Sequence, residues 1–489
     1  MAERVPTGIR GLDEVLHGGY IENRSYLVRG EPGVGKTLLG LHFLIEGVEQ
    51  GENSLFINLG APEADIREDA RGLGMDLDGV DILDLSPASD FFVENKMYDI
   101  FTSPEVERGE FTAVISDAVS EFDPDRVFVD PLTQFRYLSP DEFQFREEVL
   151  SFLQYLKEND CTTLFTSQST HNFPDDDLQF ISDGNILLYY GEVLHHVEVT
   201  KMRGSEFEKG PQTVEIGDGG MHIYPLLRPG RFKLDYEPVP IPSGNERLDE
   251  MLNGGVERGT TTLISGPTGV GKTTVAMQFL LSAAEERGER GIIYLFEESE
   301  NTFVLRAESL GLPIRRLAEE GLISVMQVDA HEHSAEQFSR QVRREVEERD
   351  TRHVLIDGID GYVASISGDE RDLVARLHAV VGYLRNVGVT TFLTSEMETI
   401  TGQFRPSSRR ASYLADNIIF LGYFELGSQI HRSIGVLKKR ASTFDHSIHA
   451  FTIDENGIQV GEELDNLHGI LSGTPMWYEE DIPELGELD

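Results

Sequence analysis

Two lysines stand near the end of one eight-residue pattern that the chain contains twice. Residues 30–37 read Gly30-Glu31-Pro32-Gly33-Val34-Gly35-Lys36-Thr37, and residues 266–273 read Gly266-Pro267-Thr268-Gly269-Val270-Gly271-Lys272-Thr273. Glycine, any four residues, then Gly-Lys-Ser/Thr is the pattern of a phosphate-binding loop. Gly30, Gly33, Gly35, Gly266, Gly269 and Gly271 carry no Cβ, so backbone N–H groups can turn toward phosphate oxygens. A helix opening behind the loop points its N-terminal dipole at the same charge. Lys36 and Lys272 would reach the β- and γ-phosphates, and Thr37 and Thr273 would offer a hydroxyl to Mg²⁺. Each pattern follows a short apolar strand (Tyr26-Leu27-Val28; Leu263-Ile264) and opens an apolar helix (Leu38 to Ile45; Val275 to Leu281). Both therefore read as nucleotide sites, with ATP and Mg²⁺ as the expected ligands.

Two further elements fit the same chemistry. Arg126-Val127-Phe128-Val129-Asp130 and His353-Val354-Leu355-Ile356-Asp357 are buried-strand patterns ending in a carboxylate. Ligands of a parallel α/β sheet gather at the carboxyl ends of its strands, so Asp130 and Asp357 are candidate Mg²⁺ ligands beside Thr37 and Thr273. Hydrolysis also needs a base for the attacking water. Phe296-Glu297-Glu298-Ser299 supplies two carboxylates after the second strand of the second copy, where the first copy has Leu59-Gly60-Ala61-Pro62. Glu63 aligns with Glu300 and does not replace them. The expected result is nucleotide held in both copies and turned over mainly in the second. A last repeated feature is a pair of cations, Lys201 with Arg203 and Lys438 with Arg440. Residues two apart on a strand share a face, and two cations could neutralise charge developing on a γ-phosphate, on a neighbouring subunit in particular.

The elements that must position these groups repeat as well. Val5-Pro6-Thr7-Gly8, Leu12-Asp13-Glu14 and Gly18-Gly19 return as Ile241-Pro242-Ser243-Gly244, Leu248-Asp249-Glu250 and Gly254-Gly255, at the 236-residue offset that separates Lys36 from Lys272. A repeat of domain length means two copies of one fold. Alternating apolar strands and helical patterns argue for an α/β fold with a mostly parallel sheet. The first copy supplies Leu27-Val28, Leu55-Phe56-Ile57, Val127-Phe128-Val129, Thr163-Leu164-Phe165 and Ile186-Leu187-Leu188. The second supplies Leu263-Ile264, Ile292-Ile293-Tyr294, Val354-Leu355-Ile356, Thr391-Phe392-Leu393 and Ile418-Ile419-Phe420. A hairpin around 193–216 and another around 432–453 close the copies. Pro238, Pro240 and Pro242 mark a stiff connection. The expected division is 1–234, 235–470 and an acidic tail, 471–489.

Composition narrows the setting. The 489 residues include 86 acidic against 42 basic, a formal net charge of −44, and lysine is scarce at nine. Such a charge repels itself at low ionic strength and is screened in concentrated salt, which suits a halophile. No stretch is apolar enough for a transmembrane helix, and the N-terminus resembles no signal peptide. The single cysteine, Cys161, excludes a disulfide framework. These features point to a cytoplasmic protein. No cluster of cations interleaved with aromatics would track a nucleic-acid backbone, and the acidic balance disfavours one.

Together these motifs resemble the KaiC family of clock ATPases and its archaeal relatives in the RecA-like superfamily, with a haloarchaeal type of composition. The likeness spans nearly the whole chain and includes Leu471-Ser472-Gly473-Thr474-Pro475 before the tail. It implies two tandem RecA-like P-loop NTPase domains, a homo-hexameric double ring with ATP between subunits, and unidentified signalling partners. It implies that Glu297 and Glu298 are the catalytic pair with Lys272, and that Lys201, Arg203, Lys438 and Arg440 contact a neighbour's nucleotide. It also makes the chain a candidate serine/threonine autokinase. Ala411-Ser412-Tyr413 stands at the family's phosphorylated stretch, with Ser412 as the acceptor, Ser407 and Ser408 as minor rivals, Glu298 as its base and Glu297 as partner. Two departures are visible: Gly60 and Ala61 replace the first domain's glutamates, and a tyrosine stands where the family has threonine. Two other classes on the same fold stay open, a DNA-dependent motor and a nucleotide-gated scaffold without turnover.

Overall fold

Alternation along the strands builds two cores on each of two sheets. The computed structural model describes residues 3–89, 104–137, 139, 141–168, 175–191, 194–328, 334–366, 370–397, 413–426, 428–455, 457–465, 467–470 and 476–477. The chain forms two compact units, Met1–Leu226 and Leu227–Asp489. Residues following Leu226 belong to the second unit because Phe232 packs edge-on against Tyr383 with centroids 5.0 Å apart, and the Leu234 N–H donates to the Asn386 carbonyl at 3.0 Å.

The first unit holds a nine-stranded sheet: β1 (Ser25–Arg29), β2 (Ser54–Asn58), β3 (Asp81–Asp84), β4 (Arg126–Asp130), β5 (Thr162–Thr166), β6 (Gly184–Tyr190), β7 (His195–Met202), β8 (Gln212–Gly217) and β9 (Gly220–Tyr224). Their order is β3-β2-β4-β5-β1-β6-β7-β8-β9. The six from β3 to β6 run parallel, and β7, β8 and β9 add antiparallel pairs. Tyr26, Val28, Phe56 and Phe128 join one core with helix α1 (Lys36–Gln50). Leu27, Leu55, Ile57 and Val127 join another with α2 (Pro104–Phe122) and α3 (Glu142–Glu158). This is the period of two that puts successive side chains on opposite faces.

The second unit repeats the plan with β10 (Thr261–Gly266), β11 (Gly291–Leu295), β12 (Ile323–Gln327), β13 (His353–Asp357), β14 (Thr390–Glu396), β15 (Asn417–Leu426), β16 (Gln429–Lys439), β17 (His449–Asp454) and β18 (Gly457–Glu463). Their order, β12-β11-β13-β14-β10-β15-β16-β17-β18, is the same. Ile264, Ile293 and Leu355 face a core with α4 (Lys272–Arg287), while Leu263, Ile292 and Val354 face the other. These are the two tandem RecA-like domains of an α/β fold.

The sheets are wider than the apolar runs suggest. Edge strands β3 and β12 are only partly buried, so their residues need not be continuously apolar. Both expected hairpins are present, each extended by one more strand. A correction concerns their cations. β7 ends at Met202 and β16 at Lys439, so Arg203 and Arg440 lie just past the strands and strand alternation does not orient them. The left-handed Gly204 (φ 75°) turns the chain away in the first domain. Ser412 lies outside the described residues. No described helix is long and apolar enough to cross a membrane.

Candidate functional site

Each phosphate loop leaves the carboxyl end of a central strand and enters a helix without a side-chain cap. Gly35 (φ 95°) and Gly271 (φ 115°) hold the left-handed turn just before α1 and α4. A Cβ there would meet only the far ends of flexible side chains, Met221 and Ile453 nearest, so it is the left-handed backbone that favours glycine at both positions. The Lys36 ammonium donates to the carbonyls of Gly30 (2.8 Å) and Glu31 (2.9 Å). Lys272 does the same to Gly266 (3.0 Å) and Pro267 (3.1 Å). Burial lowers the pKa of both lysines, and nearby carboxylates oppose that shift.

The strand-end carboxylates sit where the sequence places them. Thr37 Oγ1 donates to Asp130 at 2.5 Å, and Thr273 Oγ1 lies 2.9 and 3.1 Å from the two oxygens of Asp357. A second threonine holds each acid from behind: Thr166 donates to Asp130, and Thr394 to Asp357 at 2.7 Å. Burial raises both carboxyl pKa values, and the threonine hydrogen bonds pull them back. A hydroxyl beside a buried carboxylate, with phosphate-loop amides adjoining, is an all-oxygen donor set of the kind Mg²⁺ takes. The residues present fit that ion. In the first domain they line a cleft of about 840 Å³ with Pro32, Gly33, Asn58 and Gly60, within the range of small-ligand sites.

The domains diverge beside this shared frame. Glu297 lies against Gly358 and Gly361. A Cβ on Gly358 would fall 2.8 Å from its Oε1, and one on Gly361 2.7 Å from its Cγ. Partial desolvation, then Asp357, Glu396 and Asp360, raise the Glu297 carboxyl above the ordinary range, with Lys272 opposing. Glu298 is turned to another task and pairs with Arg306 of the following helix α5 (Glu300–Ser309). Glu298 thus faces Arg306, while Glu297 faces the carboxylates around Asp357. In the first domain Gly60 takes this place, and the nearest atom to a Cβ built there is Pro131 Cδ at 3.6 Å. Glu63 begins a helix, as Glu300 does, and its carboxylate pairs with Arg67 at 2.7 Å.

Sequence reasoning missed three acidic or hydroxylic groups of the second site. Asp360 accepts the Glu396 N–H at 3.1 Å, and Glu396 accepts from the Thr268 hydroxyl within the phosphate loop. The signal available was Glu396 closing an apolar strand, like Asp357.

The hairpin cations are not at the phosphates of their own domain. Lys201 pairs with Asn185 in register, next to Gly184, which faces Tyr26 at the start of β1. The loop leaves the other end of β1, roughly 15 Å away at 3.3 Å per residue. Lys201 donates to the carbonyls of Gln179 and Ser182, both at 2.6 Å, and Arg203 to Phe180 at 3.1 Å. Lys438 donates to the Ala415 carbonyl at 2.5 Å and Arg440 pairs with Asp416 at 3.3 Å.

Comparison with known proteins agrees with this geometry. A family model described as "ATPase: KaiC" matches residues 5–228 and again 241–465, one phosphate loop in each. The "Circadian clock oscillator protein KaiC" of Parasynechococcus marenigrum is 28% identical over 491 residues, covering 97% of this chain and 93% of that protein. The "Circadian clock protein KaiC3" of Synechocystis sp. is 28% identical over 498 residues, covering 97% and 95%. The protein named KaiC in Prochlorococcus marinus is 28% identical over 493 residues, again covering 97% and 95%.

Proposed function

The chain belongs to the KaiC family of ATPases, and from that premise we propose that it binds Mg-ATP in both domains and hydrolyses it mainly in the second. The observation that carries this reading is Glu297, set beside Asp357 and Lys272 in the second site, against Gly60 in the first.

The loop amides and Lys272 would hold the β- and γ-phosphates, and Thr273 with Asp357 would hold Mg²⁺; Thr37 and Asp130 are their counterparts. Mg²⁺, when bound, neutralises phosphate charge. Glu297 orients a water and takes its proton as the water oxygen bonds to the γ-phosphorus. The bond from that phosphorus to the β–γ bridging oxygen breaks, giving ADP and phosphate. A carboxyl held above its ordinary range keeps that proton more readily, which suits a general base.

Finer features complete the proposal. The chain works as a cytoplasmic homo-hexameric double ring, its two domains divided after Leu226 and followed by the acidic tail, and regulates signalling proteins. Lys201, Arg203, Lys438 and Arg440, a strand's length from their own loops, act on the nucleotide of a neighbouring subunit. Ser412 accepts a phosphoryl group in an autokinase reaction, with Glu297 proposed as the base in place of Glu298, because Glu298 is paired with Arg306. Phosphate release from wild type, Lys36→Ala and Lys272→Ala in high salt tests the core of the reading. Lys272→Ala should lose most turnover, and Lys36→Ala should chiefly lose nucleotide. Retained activity in Lys272→Ala with loss in Lys36→Ala reverses the assignment.

A further inference from the structure

The second phosphate loop makes a contact that the first has no atoms to make. The Thr268 hydroxyl, inside the loop, donates to the carboxylate of Glu396 at the end of β14. The matching positions in the first domain are Pro32, with no hydroxyl, and Gln168, with no charge. Their equivalence is structural. The Glu396 N–H donates to Asp360 at 3.1 Å, and the Gln168 N–H to the Thr133 hydroxyl at 3.2 Å. Both halves of the Thr268–Glu396 contact thus occur in one domain and neither in the other. Among the charges around Lys272, Glu396 has the largest effect, ahead of Asp357, Glu297 and Asp360. It competes for the cation that would meet the phosphates.

We propose that Glu396 is a positioning residue that makes nucleotide binding in the second domain contingent on a divalent cation, while the first domain, with Gln168, binds nucleotide with less need of one. The proposal rests on reading both loops as nucleotide sites. A free nucleoside diphosphate or triphosphate brings three or four negative charges into the loop. In the second domain it meets a carboxylate tied to the loop; the lysines do not differ, since Lys36 and Lys272 each donate to two carbonyls of their own loop. Like charges a few ångströms apart repel, and at the exposed Glu396 water and salt reduce that repulsion without removing it. A divalent cation removes two of the ligand's charges and with them most of the repulsion. In the first domain the shared Asp130 remains, an amide stands in for Glu396, and Gly60 and Thr133 stand where Glu297 and Asp360 are, so the single exchanges Glu396→Gln and Gln168→Glu isolate the part due to this position.

The test is titration of the full chain with a fluorescent ADP analogue at fixed high salt, with Mg²⁺ and with chelator. The variants are Glu396→Gln and, reciprocally, Gln168→Glu. Glu396→Gln should strengthen Mg²⁺-free binding of one class of sites about tenfold after screening, with the Mg²⁺-loaded affinity changed less than about threefold. Gln168→Glu should weaken Mg²⁺-free binding of the other class by a similar factor. The unfolding midpoint of Glu396→Gln without nucleotide guards against a folding effect and should match wild type. Equal changes with and without Mg²⁺, or no change in either, overturn the proposal and leave Glu396 a packing residue. A wild-type chain that binds no nucleotide even with Mg²⁺ overturns the ATPase reading itself, and this proposal with it.

Discussion

Glu297→Gln is the substitution that separates the chemical step from binding. Glutamine keeps the shape that lies against Gly358 and Gly361, so the loop should keep its path. What it loses is the proton acceptor, and a positioned general base is worth about 10² to 10⁴ in rate, or roughly 3–5 kcal/mol of barrier. Its effect on binding runs the other way. One negative charge leaves the group formed with Asp357, Glu396 and Asp360. At 4–6 Å and an effective dielectric near 20 that is worth up to about 3–4 kcal/mol before screening, and far less in concentrated salt at an open site. Phosphate release should therefore fall about 10² to 10⁴-fold while KM for ATP is unchanged or lower. Glu298→Gln breaks an ion pair with Arg306 whose partners are 24% and 39% exposed. Such pairs contribute about 0–1 kcal/mol, so it should cost less than about fivefold. The reciprocal arm is Gly60→Glu in a Lys272→Ala background. Pro131 at 3.6 Å leaves ordinary room for the new Cβ, and turnover should rise above that background. Loss of turnover in Glu298→Gln with activity kept in Glu297→Gln refutes the assignment.

Other expectations follow from the same contacts. Arg440→Ala should abolish hydrolysis, and mixing it with Lys272→Ala should restore part of it, because each variant lends the site its partner lacks; a monomer fully active by light scattering counts against this. With net charge −44, dilution from molar salt to about 0.1 M lengthens the Debye length from about 3 to about 10 Å and should dissociate or unfold the protein, as read by calorimetry. Glu289, hydrogen-bonded to His353 at 2.7 Å and Arg258 at 2.5 Å, has its pKa lowered to about 2 from 4.5. A lowered carboxyl pKa stabilises the fold above the unfolded value and loses that contribution as pH falls through the folded one. The advantage of wild type over Glu289→Gln in unfolding midpoint should hold above about pH 4.5 and fade toward about pH 2. Incubation with γ-labelled ATP in high salt should place label on Ser412 and lose it in Glu297→Gln; hydrolysis without label leaves an ATPase alone.

The parts of the site legible in the sequence are those whose chemistry fixes a local pattern. The phosphate loops need glycine at set positions, and Asp130 and Asp357 close buried apolar runs, so spacing alone located them. The parts that stayed hidden are set by neighbours far along the chain. Glu297 and Glu298 are adjacent and chemically alike, and only the fold separates them: one lies against Gly358, the other meets Arg306 a helical turn and more away. Strand periodicity likewise says nothing about where a strand stops: Arg203 and Arg440 lie just past the strands, yet each still meets the same stretch as its lysine, Phe180 in the first domain and Ala415–Asp416 in the second. The same fold supports the proposal that these cations act on another copy's site. Parallel strands put the loop at one end of β1 and β10 and these cations at the other, in both domains. A cation pair repeated a strand's length from its own phosphates is of no use to them. Head-to-tail packing of identical copies, the arrangement that closes into rings, can bring one copy's strand-start end to the next copy's strand-finish end. Mixing of variants tests that step directly, since rescue requires two chains to complete one site.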